Sequence, residues 1–308
     1  MLAADRRLRR TSRRRVATRI VRIFLFVACL HVALASAAPD AADRTQVRVV
    51  TIHRHNTSSF TEGLLIDGDS VLESTGLRHQ SFIREYPLPQ ASSTGTISLP
   101  TPVQEVQLDA AIFGEGIAVL DDKLYSLTYK HQKLLSFSRD GLEPLDEFPI
   151  VTSTGEGWGM TTDGEFLIVS DGSAQLAFLD PTNDFQVDHV VNVAMSDGSL
   201  VTQVNELEWV EGEILANVWF QNCVLRIDPV TGEVIERIDL DWLPSLVSNL
   251  HSDAMLSDER WRHEAVMNGI AYSRKRGHVF LTGKLWDSLF ELEFSYLDRH
   301  RLPIRDDR

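Results

Sequence analysis

Cysteine is almost missing from this chain of 308 residues, and so are the motifs that would build a reactive site around one. Of its two cysteines, Cys29 lies in an apolar N-terminal run, which leaves Cys223 alone in the body and excludes an internal disulfide framework there. Cys223 stands in the alternating segment Phe220-Gln-Asn-Cys-Val-Leu-Arg-Ile, where a small buried apolar thiol is expected rather than a nucleophile. Histidine does not recur at metal-ligand spacing. His53 and His55 can share a strand face, but two ligands without a third do not make a metal site. Glycine-rich phosphate loops, a G-x-S-x-G elbow and a reactive Cys-His pairing are also missing, so an enzyme built on this chain is expected to work without a covalent nucleophile of its own. Long helical periodicity is nearly absent, which turns the reading toward β structure. Basic residues are scarce beyond the start. Residues 1–38 hold nine Arg, no Lys and one acid, and the remainder carries 21 bases against 43 acids, a formal balance of -22. Nucleic-acid binding needs a basic footprint and is excluded on that ground.

What the N-terminus does contain is an Arg-rich stretch from Arg6 to Arg22, the apolar run IFLFVACLHVALA, and Ala35-Ser36-Ala37 as a small-residue cleavage site. Residues 1–38 therefore read as an export signal, directing the protein to the secretory pathway or periplasm. The apolar run is shorter than the roughly 20 residues of a membrane span. An uncleaved N-terminal anchor is the alternative; once the signal is cleaved, no stable membrane association is expected. Asn56-Thr57-Ser58 is a glycosylation sequon, relevant to a eukaryotic source.

Beyond residue 45 the chain repeats itself. Five segments share one pattern of apolar strand, tight acidic or glycine turn, and second apolar strand. They begin Glu62-Gly-Leu-Leu-Ile, Glu115-Gly-Ile-Ala-Val, Glu156-Gly-Trp-Gly-Met, Glu206-Leu-Glu-Trp-Val and Asn268-Gly-Ile-Ala-Tyr, with starts 53, 41, 50 and 62 residues apart. A third alternating strand follows most of them, as in Lys133-Leu-Leu-Ser-Phe, and several turn into a fourth, such as Gly232-Glu-Val-Ile-Glu-Arg-Ile. Four short antiparallel strands per repeat of roughly 40–50 residues predict an all-β fold, a five-bladed β-propeller over residues 45–296. The last repeat stops after three strands, while Val47-Arg-Val-Val-Thr-Ile-His at the start is a spare one; this N-terminal strand is expected to complete the fifth blade and close the ring. Residues 87–110, rich in Pro, Ser and Thr, and 241–267, with one short amphipathic helix, read as excursions between blades on one rim. Residues 297–308 read as a polar, peripheral tail, and the protein as a monomer.

In such a ring the innermost strand of each blade lines the channel, so residues at the strand starts converge. Here these are Phe60 and Glu62, Phe113 and Glu115, Glu156 and Trp158, Asn205, Glu206, Glu208 and Trp209, and Asn268. Several carboxylates around one axis cannot all stay ionised cheaply, so at least one is expected to hold a proton near neutrality. Recurrent Glu-Gly can instead pin blades through backbone amides, and recurrent aromatics can be core. Lys284, after the second strand of the fifth blade, has either an ion pair with a ring carboxylate or a substrate carbonyl within reach.

The motifs Phe60-Thr-Glu-Gly-Leu, Phe113-Gly-Glu-Gly, Glu156-Gly-Trp-Gly, Asp171-Gly-Ser, Asn205-Glu-Leu-Glu-Trp, Ala216-Asn-Val-Trp and Thr282-Gly-Lys-Leu-Trp, in this order, resemble the plant and bacterial type of glutaminyl-peptide cyclotransferase from about residue 47 to 294. The resemblance implies a five-bladed propeller that cyclises N-terminal glutaminyl residues of peptides and proteins to pyroglutamate, an ammonia-releasing acyl transfer. It implies Glu115 as the catalytic carboxylate, with Asn205 and Lys284 as catalytic donors to the developing oxyanion. Phe60, Phe113, Trp158 and Trp219 are implied substrate-binding residues, with Tyr129 as an aromatic replacement in Thr128-Tyr129-Lys130. Glu62 also belongs to the substrate pocket, but the plant pattern carries Gln there. The scheme calls for no metal and no cofactor. A non-catalytic propeller binding peptides or proteins across the same mouth is the alternative, and a calcium-dependent propeller hydrolase of the lactonase kind is a second; chelator-insensitive ammonia release separates the three.

Overall fold

A computed structural model of the protein describes residues 44–90 and 99–300. Strand β1 (Val47–Arg54) precedes a run of antiparallel four-stranded blades. Blade one is β2 (Thr61–Asp67), β3 (Ser70–Thr75), β4 (Phe82–Pro87) and β5 (Gln104–Gln107). Blade two is β6 (Gly114–Leu120), β7 (Lys123–Thr128), β8 (Lys133–Ser138) and β9 (Pro144–Pro149). Blade three is β10 (Met160–Thr162), β11 (Leu167–Ser170), β12 (Gln175–Asp180) and β13 (Gln186–Asn192). Blade four is β14 (Val204–Val210), β15 (Glu213–Val218), β16 (Cys223–Ile227) and β17 (Val234–Asp239). Blade five takes β18 (Met267–Ser273), β19 (His278–Gly283) and β20 (Ser288–Phe294) from the end of the chain and β1 from its beginning, in the order β1-β20-β19-β18. The five-bladed propeller closed by the N-terminal strand is therefore the fold.

The core lies between blades. Five apolar clusters each join one blade to the next: Leu72, Ile117 and Leu124 lie in the cluster of blades one and two, Leu127 and Val169 in that of two and three. Phe178 and Leu225 lie between three and four, Leu215 and Phe290 between four and five, and Leu64 with Phe280 closes the circle from five to one. Each large apolar side chain buried this way contributes about 1.5–3 kcal/mol, so every blade is held mainly by its neighbours. Near the axis the inner strands almost touch. A Cβ on Gly116 would sit 2.4 Å from the Met160 amide nitrogen, and one on Gly159 only 2.0 Å from the Asn205 carbonyl oxygen. This close backbone approach is why glycine follows or flanks the Glu and Trp of these repeats.

Several segments differ from their sequence reading. Residues 87–110 are not wholly an excursion, because β5, the outer strand of blade one, falls inside them. Residues 241–267 hold two one-turn helices, α1 (Asp253–Ser257) and α2 (Glu259–Glu264), and not one. Between them Asp258 is extended, and its side chain caps α2 by accepting from the Trp261 amide at 3.2 Å. Past β20 the chain stays with the body through buried Tyr296 and Leu297. The expected export signal at 1–38 and residues 301–308 lie outside the described residues, among which no helix is long and apolar enough to cross a membrane. Cys223 is buried and free.

The closing strand is fastened by side chains as well as by its ladder, which runs from Val47 opposite Phe294 to Arg54 opposite Ser288. His53 of β1 meets the buried Glu291 of β20 at 2.8 Å, and His278 and Arg276 reach the same carboxylate at 2.8 and 3.1 Å. Arg276 also donates to the Pro89 carbonyl beside blade one. Burial alone would raise the Glu291 pKa, but the His53, His278 and Arg276 contacts outweigh it and hold the carboxyl at about 2. A carboxyl that titrates lower in the folded than in the unfolded chain stabilises fully above its ordinary value of 4.5 and loses that contribution as the pH falls toward about 2. Glu291→Gln is therefore expected to lower stability by on the order of 3 kcal/mol at pH 7. Urea unfolding should show the gap between variant and wild type closing below about pH 4.5. Equal midpoints at pH 7 would remove Glu291 from the closure.

Candidate active site

A recurring irregularity points the inner-strand starts at the axis. The ladder between first and second strands slips at Thr61/Gly63, Gly114/Ile117, Val204/Leu207 and Met267/Ile270, the same place in four blades. A bulge turns the side chain next to it away from the normal alternation. The residues in those bulges include Glu62, Glu115, Asn205 with Glu206, and Asn268. In blade three the same place is taken by Trp158 and Gly159, which pair with Ser170 in both directions.

Of these residues, Glu62, Glu115, Trp158 and Asn205 line a cavity of about 300 Å³ at the end of the ring where the inner strands begin. The nine residues assigned from sequence to catalysis or substrate binding all line it. Glu62, Glu115, Asn205 and Lys284 supply the polar part. Phe60, Phe113, Tyr129, Trp158 and Trp219 supply the aromatic part. Phe60 and Phe113 meet edge to face at 6.2 Å, and Phe113 lies 5.5 Å from Tyr129. Trp158 and Trp219 are perpendicular at 5.4 Å. Trp158 is oriented by its indole N–H, which donates to Glu156 at 3.0 Å, and Glu156 in turn pairs with Lys130 over the Tyr129 ring.

The charged centre is a lysine and two carboxyls. Lys284, 6% exposed, donates to Glu62 at 2.8 Å and stands 4.7 Å from the centre of the Phe60 ring. Asn268 donates at 3.3 Å to the Glu62 Oε2, an oxygen that Lys284 also approaches at 2.8 Å. The Glu62 and Glu115 carboxyls hydrogen-bond to each other, in the sense that favours protonated Glu115 and ionised Glu62. Burial pushes Glu62 up to about 7 even against the pull of Lys284. Burial and then the Glu62 charge push Glu115 well above the carboxylate range. Below them on the axis, Glu206 is also raised by burial, and it accepts from the amides of Leu64 in blade one and Ile270 in blade five at 3.2 and 2.7 Å. The pinning of blades through backbone amides thus falls to Glu206, while the Glu62 and Glu115 carboxyls face each other. Two of the lining residues each hold a buried polar atom without a partner: the Asn205 Oδ1 acceptor and the Trp219 Nε1–H donor.

Not every inner-strand residue arrives here. Glu208 and Trp209 line a different cavity, shared with the β2–β3 turn at Asp67 to Asp69, because a strand advances about 3.3 Å per residue and carries them down the channel. Glu156 supports Trp158 and does not itself line the cavity. His53 and His55 do not form one site, since His53 pairs with Glu291 and His55 with Glu73. Three lining residues escaped the sequence reading: Leu77, Trp261 and Glu264. The last two come from α2, in the segment set aside as an excursion, with Trp261 lying 6.3 Å from Phe60. The aromatic and acid on one short helix were the available signal.

Comparison with known proteins gives a consistent result. The family model described as Glutamine cyclotransferase matches residues 23–294. The chain is 32% identical to an Arabidopsis thaliana protein named glutaminyl-peptide cyclotransferase over 250 residues, 80% of this chain and 71% of that one. The crystal structure of Myxococcus xanthus glutaminyl cyclase superimposes with a TM-score of 0.68 at 33% identity, covering 80% of this chain and 96% of that one.

The carboxyl pair makes a direct prediction. Glu62→Gln removes the charge and the hydrogen bond that favour protonated Glu115 and leaves Lys284 without its counter-charge, so Glu115 should titrate at lower pH than in wild type. Carbon-13 NMR of glutamate-labelled protein follows this directly. A Glu115 titration that stays in place or moves up would show that the two carboxyls do not sense each other.

Proposed function

The chain belongs to the glutamine cyclotransferase family and is an enzyme of that family, and from that premise we propose that it cyclises N-terminal glutaminyl residues of peptides and proteins to pyroglutamate with release of ammonia. The observation that carries this reading is the Lys284–Glu62–Glu115 cluster inside an aromatic cavity closed enough to raise both carboxyls. The reaction supplies its own nucleophile. A free α-amine has a pKa of roughly 7.7–8.0, so a useful fraction is neutral near pH 7. The protein's task is to fold the glutamine side chain back until the amine nitrogen meets the carboxamide carbon, which is worth a large effective molarity. Trp158, Trp219, Phe60 and Phe113 form the walls for that folded conformer.

As the amine adds, one C–N bond forms and negative charge builds on the carboxamide oxygen. Lys284 and the unpartnered Trp219 N–H are donors suited to that oxygen. Asn205 lines the same cavity, and its side-chain amide N–H is a further donor for that oxygen, as the resemblance implies. Collapse breaks the bond to the carboxamide nitrogen, which leaves as ammonia after gaining one proton, while the attacking nitrogen must lose one. A carboxyl pair that shares a single proton can do both: Glu115 gives its proton to the leaving nitrogen, and the pair takes one back from the amine. The protein ends as it began. No covalent intermediate forms. The Arg-rich, apolar start supports export, so the substrates we propose are peptides of the secretory pathway or periplasm.

Mature protein should release ammonia from Gln-initiated peptides in the presence of a chelator, with kcat/KM declining below about pH 8 as the substrate amine takes up a proton. Peptides blocked at the amine should be inert. Ammonia release no faster than the uncatalysed rate would rule out the enzyme reading in favour of a binding propeller. Lys284→Met should lower kcat more than it weakens binding, because the contribution of the lysine grows with the charge in the transition state. Unchanged kcat in folded Lys284→Met would return the residue to a structural role.

A further inference from the structure

The catalytic cavity shares two of its walls, Leu77 and Trp261, with a second cavity of about 450 Å³. This groove runs between the loops of blade one and the α1–α2 excursion. Thr57 and Ser58 come from the segment before β2 and Gln80 from the β3–β4 turn, facing Met255 of α1 and Asp258 between the helices. Buried Leu285, from the β19–β20 turn, also lines it.

We infer that the groove receives the second and third residues of the substrate peptide, and that it favours apolar or basic side chains there over acidic ones. The inference rests on the cyclotransferase reading. Ring closure uses the amine and side chain of the N-terminal glutamine, both inside the catalytic cavity, while its carbonyl must leave that cavity attached to the rest of the peptide. The walls held in common by Leu77 and Trp261 give the chain a continuous path. Leu77, Met255, Trp261 and Leu285 present apolar surface, with methionine adaptable to side chains of different shape. Among the described residues Asp258 is the charged one lining the groove; it keeps its charge while capping α2 through the Trp261 amide, so a carboxylate on the second or third residue meets like charge. Asn249 and Ser252 are committed as well: the Asn249 side-chain amide donates to the Leu285 carbonyl and accepts from the Asp287 amide, and Ser252 caps α1. Selection therefore comes from apolar contact and charge, and contacts made equally in the ground and transition states raise kcat/KM through binding.

The test compares glutamine amide, which is too short to reach the groove, with Gln-Leu-Ala-amide, Gln-Arg-Ala-amide and Gln-Glu-Ala-amide. In wild type the ratio of kcat/KM for the Leu and Arg peptides to that for glutamine amide should be about tenfold or more, with the Glu peptide well below them. Gln80 is exposed and its side chain can be enlarged from the loop side. Gln80→Trp, which fills the groove, should bring the ratios toward one, and Gln80→Ala, which leaves it open, should keep them. Ratios near one in wild type, or ratios that survive Gln80→Trp, overturn the groove while leaving cyclisation of glutamine amide as evidence for the reaction. No turnover of any of the four overturns the reaction and the groove together.

Discussion

The antiparallel pairing of β1 with β20 is the contact on which the site depends. It joins the start of the chain to its end, removes two open sheet edges, and fixes blade five beside blade one. Lys284 sits on blade five and Glu62 on blade one, so their 2.8 Å contact exists only while the ring is shut. The Asn268 bond to Glu62 and the Glu206 bridge from Leu64 to Ile270 cross the same seam. The Glu291 cluster with His53, His278 and Arg276 holds that seam from the outer side.

Closing the ring has an electrostatic consequence on which the proposed chemistry draws. Five inner strands meeting at a narrow axis exclude water, and carboxyls placed there lose the solvation that keeps them ionised. Glu62, Glu115, Glu206 and Glu208 are all raised for this reason first. Glu206 and Glu208 turn their oxygens to backbone amides of other blades and serve as structural pins. Glu62 and Glu115 turn theirs to each other and to Lys284, an arrangement that suits the proton transfer proposed for them. A buried ion pair such as Lys284–Glu62 gives little net stability, because desolvation offsets the attraction. Its presence is better explained by the cavity it serves than by the fold.

The fold was legible because blade repeats leave a period in the sequence. The five starts at Glu62, Glu115, Glu156, Glu206 and Asn268 and the spare strand at Val47 were enough to count the blades and close them. The convergent residues were legible for the same reason, since equivalent positions in a ring must face one axis. What escaped lies outside the repeat. Strand β5 hides in a Pro-, Ser- and Thr-rich stretch because an outer strand has little apolar surface to bury; its burial alternates only between partial and exposed. Trp261 and Glu264 reach the cavity from a one-turn helix whose position is set by packing, and no period announces it. The depth of Glu208 and Trp209 was misjudged because a motif marks where a strand starts, not how far each later residue has travelled along the channel.

The central claim is that the proton moved during cyclisation belongs to Glu115, with Glu62 as its buried partner. The most direct measurement is the single-turnover rate of Gln-peptide cyclisation by wild type, Glu115→Gln and Glu62→Gln, with matched circular dichroism and melting curves. Glu115→Gln keeps the shape of the side chain and removes its proton, and is expected to lose roughly 10²–10⁴-fold, while Glu62→Gln keeps substantial activity with an altered pH profile. A fully active Glu115→Gln beside an inactive, folded Glu62→Gln would contradict the account and move the proton carrier from blade two to blade one.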